Sequence, residues 1–172
     1  APKGLTLWYR QMLKGDMTAE YDACVMDEGR DGDRLSDMNF FWMASDPQAK
    51  DIWTRMASRK GVFANCSQLQ LYYLGYGGNY NTTTRFRRYH GEPKPPIVKE
   101  YTDADHLLKP NHWYHIRIQS LKGVVSVYVD GELIVPSIYQ CSNGLTYAVR
   151  ISVISFRSCV FSQNLRLGRM CR

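Results

Sequence analysis

The stretch Trp113-Tyr-His-Ile-Arg-Ile-Gln-Ser-Leu121, Lys122-Gly123, Val124-Val-Ser-Val-Tyr-Val129, Asp130-Gly131, Glu132-Leu-Ile-Val135 reads as three strands joined by two tight turns. Apolar and polar residues alternate along the first two runs, the period-two pattern of a strand with one buried face. Asp130-Gly131 separates two apolar runs, and a two-residue type I′ hairpin needs positive φ at both central positions, which Asp-Gly supplies. Lys122-Gly123 marks the other turn. The stretch is a β-meander, and it predicts antiparallel pairing.

Outward from the meander the same period recurs. Leu5–Arg10 and Thr18–Met26 read as strands, with Lys14-Gly15-Asp16 between them. Residues 27–37 form a polar, turn-rich loop. Met38-Asn-Phe-Phe-Trp-Met43 is a continuous apolar run of strand length, which predicts burial on both faces. Asp46-Pro47 opens one predicted helix over residues 47–59, with Asp46 as N-cap and Pro47 at the first position. Gln68–Tyr76 and Thr82–Tyr89 flank a turn at Gly77-Gly78-Asn79, and the proline-punctuated 91–112 reads as irregular. The predicted fold is an all-β, antiparallel two-sheet sandwich of jelly-roll type with one short helix. At 172 residues the chain fits a single domain over 1–172.

Composition narrows the function classes. The chain carries 22 Lys and Arg against 16 Asp and Glu. Residues 52–91 hold Arg55, Arg59, Lys60, Arg85, Arg87 and Arg88 and no acid, a local block that favours an anionic partner. No apolar run reaches the roughly 20 residues of a membrane-spanning helix, so no membrane span is expected. The cysteines, at 24, 66, 141, 159 and 171, show no C-x-x-C spacing, and their pairing stays open. Asp27, Glu28, Asp31, Asp33 and Asp37 make an oxygen-rich loop, but the EF-hand spacing is missing. Solvated turn chemistry is the reading there, with no cofactor or metal expected and a structural calcium ion as the alternative.

Three further segments carry a resemblance: Gly4-Leu-Thr-Leu-Trp8-Tyr9, Asp37-Met-Asn39-Phe-Phe-Trp42-Met-Ala44, and Tyr72-Tyr-Leu-Gly-Tyr76-Gly-Gly-Asn79-Tyr80-Asn81-Thr-Thr-Thr-Arg85-Phe-Arg87-Arg88-Tyr89. They carry a similarity, over about residues 3–135, to an uncharacterised domain family of polysaccharide-degrading bacteria. More broadly, His112-Trp113-Tyr114-His115-Ile-Arg-Ile followed by Val-Tyr-Val129-Asp130-Gly131 resembles the signature of the concanavalin A-like lectin/glucanase jelly rolls. The resemblance implies a carbohydrate-active domain, secreted or periplasmic. Against that family the chain looks N-terminally short, and 136–172 lacks the expected closing pattern. That tail holds three cysteines, five arginines and no acid, and is expected to pack poorly; a reading-frame change or an alternative exon would produce such a break.

If Thr82–Tyr89 is a strand, Thr83, Arg85, Arg87 and Tyr89 share one face. Two guanidiniums spaced along a strand suit a carboxylate or sulfate. On the neighbouring strand Gln68, Gln70, Tyr72 and Tyr76 share a face against Leu69, Leu71 and Tyr73, and the polar faces together would line a concave surface. The central strands lack the paired carboxylates of a retaining glycosidase. The chemistry expected is β-elimination on an acidic polysaccharide or oligosaccharide, which needs carboxylate neutralisation, a base and an acid. Arg85, Arg87, Asn79 and Asn81 would bind the carboxylate, with Tyr76 or Tyr89 and His90 or His115 in proton transfer. The alternative is a non-catalytic carbohydrate-binding domain, with Trp42, Tyr73, Tyr76 and Tyr80 stacking on sugars and Gln70 in the binding surface. Nucleic acid is not an expected partner, because no binding pattern accompanies the basic block.

Overall fold

The computed structural model describes residues 5–9, 15–60, 62–139, 152–155 and 159–169, with Leu5–Leu7 and everything beyond residue 135 as backbone only. The strands are β1 (Leu5–Trp8), β2 (Met17–Met26), β3 (Met38–Ser45), β4 (Gln70–Gly77), β5 (Thr83–His90), β6 (Ile97–Tyr101), β7 (Trp113–Leu121), β8 (Val124–Val129), β9 (Glu132–Tyr139), β10 (Ser152–Ser155) and β11 (Cys159–Arg169). They form two antiparallel sheets, β1-β10-β3-β4-β5-β6 and β11-β2-β7-β8-β9. The fold is the two-sheet sandwich that the alternation predicts. Among the described residues no helix is long and apolar enough to cross a membrane.

The meander β7-β8-β9 forms through the two turns read from sequence. Lys122 and Gly123 take φ of 47° and 77°, and Asp130 and Gly131 take 51° and 85°, positive at both central positions as a type I′ turn requires. Between the sheets, Phe40, Trp42, Tyr72, Leu74, Tyr76 and Phe86 from the six-stranded sheet meet Ala19, Tyr21, Tyr114, Ile116, Val125 and Val127 from the other. A second, smaller core lies on the outer face of the six-stranded sheet. There Phe41, Leu71, Tyr73 and Tyr89 are covered by Ile52, Cys66 and Leu69, with Trp53, Met56 and Phe63 packed against them. This double burial explains why Met38 to Met43 reads as an apolar run rather than as an alternating strand.

Two elements depart from the sequence reading. The helix expected over 47–59 shrinks to α1 (Met56–Arg59), because the Asp46 carboxylate turns inward. It accepts the Gln48 amide at 3.0 Å and pairs with Arg59 at 2.5 Å, so turns replace the expected first coils. Within the segment read as irregular, Ile97–Tyr101 forms the edge strand β6. Its residues are almost all exposed, so no alternation marks them. In the tail, β10 pairs with β1 and β3 and β11 pairs with β2, as backbone. The packing of its side chains lies outside the described residues. Cys24 and Cys66 are buried free thiols.

Candidate functional site

The outer face of β4 and β5 floors a pocket of about 570 Å³ lined by residues that include Tyr73, Gly75, Thr83, Arg85, Arg87 and Tyr89. The hairpin register sets this face. Tyr73 lies opposite Arg87, Gly75 opposite Arg85, and Leu71 opposite Tyr89. Gly75 is required by close approach: an added Cβ would stand 2.4 Å from the Tyr73 Oη and 3.0 Å from Asn39 Oδ1. The Tyr73 ring therefore lies over bare backbone and donates its hydroxyl to Asn39 Oδ1 at 3.0 Å. Gly75→Ala is expected to push that ring off its seat and destabilise the fold by about 1–3 kcal/mol, the usual range for overpacking. A urea midpoint matching the parent would contradict this.

Beyond β4 the chain reverses through Gly78–Asn81, where Asn79, Tyr80 and Asn81 all take positive φ (53°, 59° and 58°). Left-handed conformation costs non-glycine residues about 1–2 kcal/mol each, so neighbours must hold it. The Asn81 side chain donates to the Leu108 carbonyl at 2.9 Å and accepts the Leu108 amide at 2.8 Å. Ser36 Oγ accepts the Tyr80 amide at 3.2 Å. Thr84 Oγ accepts the Gly77 amide at 3.0 Å and donates to the His106 carbonyl at 2.5 Å.

The structure brings some expected site residues together and separates others. Arg85, Arg87, Tyr73, Tyr89 and Asn79 line the pocket. The face assignment on β4 is corrected. Tyr72 and Tyr76 point between the sheets, and Gln70 pairs with His90 on that side of the hairpin, outside the pocket lining. The aromatic volume of Tyr72 and Tyr76 is needed there to meet Trp42, Phe86 and Tyr114. Trp42 is completely buried in the same core and cannot stack on a sugar. Asn81 is spent on the Leu108 backbone. His115 sits on the other sheet, its Nδ1 2.8 Å from Asp22 Oδ1. Tyr80 is 72% exposed at the rim, with the Arg34 guanidinium 4.8 Å from its ring centroid.

Sequence reasoning missed the walls. Phe63, Ala64 and Ser67 from one segment and Pro93, Lys94 and Pro95 from another complete the lining. Both come from segments without strand periodicity. Three prolines at 93, 95 and 96 were the available signal for a stiff wall.

The pocket is cationic. Arg85 Nε pairs with Glu100 at 2.5 Å, while Arg87 Nη1 donates to the Pro95 carbonyl at 2.7 Å and has no carboxylate in ion-pair range among the described residues. Asp37, the one acid in the lining, pairs with Arg34. Burial pushes the Tyr89 phenol up to about 12, with Arg87 opposing. Burial holds Tyr73 well above the ordinary range, with Tyr89 and Asp37 adding to it and Arg87 and Arg85 opposing. Both phenols are therefore neutral donors near pH 7. In the acidic loop at 27–37, Asp33 accepts the Glu28 and Arg30 amides and Glu28 pairs with Arg30. Among the described residues no three His, Cys, Asp or Glu gather to hold a metal ion.

The fold has many solved counterparts. The carbohydrate-binding module CBM66 from Bacillus subtilis matches with a TM-score of 0.61 at 11% identity, over 98% of this chain and 84% of that one. A Bacillus subtilis protein of unknown function with a galectin-like fold matches at 0.60 and 12%, over 94% and 76%. Sheep galectin-11, in complex with glycerol, matches at 0.56 and 6%, over 98% and 99%. At these identities the likeness establishes the fold. No curated protein matches the chain. Residues 1–148 match a family described as "Domain of unknown function (DUF6250)".

Proposed function

The chain belongs to the DUF6250 family, and we propose that it is a non-catalytic carbohydrate-binding domain that holds an acidic saccharide in the pocket on β4 and β5. The observation that carries this is Arg87, a half-buried guanidinium in a concave, aromatic-floored pocket with no acid partner of its own among the described residues. A guanidinium offers a planar fork that matches a carboxylate or sulfate, and the largely buried Tyr73 and Tyr89 floor the pocket beside it. Lys94 at the rim adds charge of the same sign. Two structural neighbours, a carbohydrate-binding module and a galectin, support the class of ligand.

Binding is favoured over elimination by what lines the pocket. Neither His90 nor His115 is there, Tyr76 is in the core, and the two tyrosines present have phenols raised by burial. A phenol raised in this way is a poor base near neutral pH, though a good hydrogen-bond donor.

Replacing Arg87 by Ala should weaken binding of oligogalacturonate by about 1.5–3 kcal/mol, roughly ten- to 150-fold, by removing a charge-assisted hydrogen-bond pair. Arg87→Lys should restore only part of it. Arg85→Ala should cost less, since Glu100 already neutralises that guanidinium. Titration calorimetry beside thermal melts checks this. Unchanged affinity, or a fall in stability matching the fall in affinity, would remove Arg87 from the site. Absorbance near 235 nm, silent for a binder, would rise if the saccharide were eliminated.

A further inference from the structure

The left-handed turn at 78–81 carries a residue that neither the backbone nor the core accounts for. Asn79, Tyr80 and Asn81 take φ of 53°, 59° and 58° in succession. Asparagine tolerates this region because its short side chain hydrogen-bonds locally, whereas a bulky aromatic there is an outlier. Asn79 and Asn81 use that capacity. Asn79 Nδ2 donates to Thr82 Oγ1 at 3.1 Å, and Asn81 bonds the Leu108 backbone at both its oxygen and its nitrogen. Tyr80 sits between them in the same conformation with a side chain that gives the fold little in return, since the residue is 72% exposed.

Neighbouring contacts hold this strained backbone in place. Ser36 is fully buried, and its Oγ accepts the Tyr80 amide at 3.2 Å and donates to the Gly77 carbonyl at 3.2 Å. The Thr82 amide closes the turn by donating to the Gly78 carbonyl at 3.1 Å. The Arg34 guanidinium lies over one face of the Tyr80 ring, 4.8 Å from its centroid, and pairs with Asp37. Asp37 and Asn79 both line the pocket. Tyr80 is thus joined to the pocket twice, through its chain neighbour Asn79 and through the Arg34–Asp37 pair. With Arg34 over one face, the opposite face carries the exposure. Strain of this kind persists only where surrounding contacts over-determine it, and it gathers at binding sites.

Resting on the carbohydrate-binding reading above, we infer that Tyr80 is a second saccharide subsite outside the pocket, a platform on which the C–H face of a further sugar of the same chain stacks while Arg87 holds an acidic one. A tyrosine ring is an apolar plate with a polar tip, which suits one face of a pyranose and leaves the sugar hydroxyls to water. Asp37 balances the charge of Arg34, so this subsite selects for the flat face of a sugar ring and not for its charge.

The test is titration calorimetry with linear galacturonate oligomers, beside thermal melts of each variant. Tyr80→Ala should lower oligomer affinity by about three- to tenfold, the worth of one aromatic contact. Tyr80→Phe should keep it, because the plate remains. Tyr80→Gly should weaken binding as Ala does and yet melt at or above the parent temperature, since glycine relieves the positive φ. A merely structural Tyr80 would move stability and binding down together. Equal oligomer affinity in the parent, Tyr80→Ala and Tyr80→Gly would overturn the subsite and leave binding at Arg87 standing, as would a fall in melting temperature matching the fall in affinity. A loss in Tyr80→Phe equal to that in Tyr80→Ala would assign the contact to the hydroxyl and overturn the stacking. Absence of oligomer binding by the parent would overturn the acidic-saccharide reading and the subsite with it.

Discussion

Trp42→Ala should lower the free energy of unfolding by about 3–5 kcal/mol, the range for deleting a fully buried aromatic. Trp42 has no exposed surface. Its ring lies 5.7 Å from Phe40, 5.8 Å from Tyr72 and 5.7 Å from Phe86, a stack that fills one layer between the sheets. Those neighbours sit on three adjacent strands held in register, so they cannot collapse into the space left behind. A domain with the usual 5–15 kcal/mol of stability would lose a large fraction of it. The urea midpoint should fall accordingly. Trp42→Phe separates packing from recognition: it should keep the fold and leave saccharide binding unchanged. Loss of binding at constant stability would return Trp42 to the site. Trp113→Ala is the control, because Trp113 is 44% exposed and should shift stability by no more than about half a kcal/mol.

Trp42 also marks where the sequence was legible and where it was not. The sandwich could be read because alternation and type I′ turns are local signals, each complete within a dozen residues. The pair Arg85 and Arg87 could be placed on one face for the same reason. Its companions could not. Tyr72 and Tyr73 are the same residue type, so alternation in β4 leaves open which one faces the core. Only the pairing of Tyr73 with Arg87, set by a left-handed turn at 78–81 that no simple turn rule anticipates, decides it. The position that shapes the floor, Gly75, acts through lacking a side chain. Between 47 and 59, Ile52, Trp53 and Met56 have the spacing of a helical face, but successive turns satisfy it equally well by laying them on the outer sheet face. The walls follow from individual side-chain contacts, such as Phe63 with Tyr73 and Arg87 with Pro95, that leave no period or turn signature, and pattern reading does not reach those.

Asp46→Ala should be the most damaging change outside the central core, at about 3–5 kcal/mol, because it leaves a buried charge without its partner. The Asp46 side chain is 1% exposed and that of Arg59 is 9% exposed. Arg59 Nη2 meets Asp46 Oδ2 at 2.5 Å, and Nη1 donates to the Ile52 carbonyl at 2.7 Å, which leaves the guanidinium little access to water. Arg55 approaches the other carboxylate oxygen at 3.5 Å and adds little from its partly exposed position. The pair ties the start of the 46–69 crossing to α1, and the far end of that crossing carries the Phe63 wall of the pocket. Asp46→Ala should therefore weaken saccharide binding together with stability, although Asp46 does not line the pocket. Asp46→Asn should cost less, since its side-chain oxygen can still accept the Gln48 amide. The double variant Asp46→Leu/Arg59→Met tests the cause. Removing both charges should recover most of the stability, as buried pairs replaced by apolar residues commonly do. If Asp46→Ala shifts the urea midpoint by less than about 1 kcal/mol equivalent, this pair does not hold the wall, and the smaller apolar core of Phe41, Leu69 and Tyr89 must do so alone.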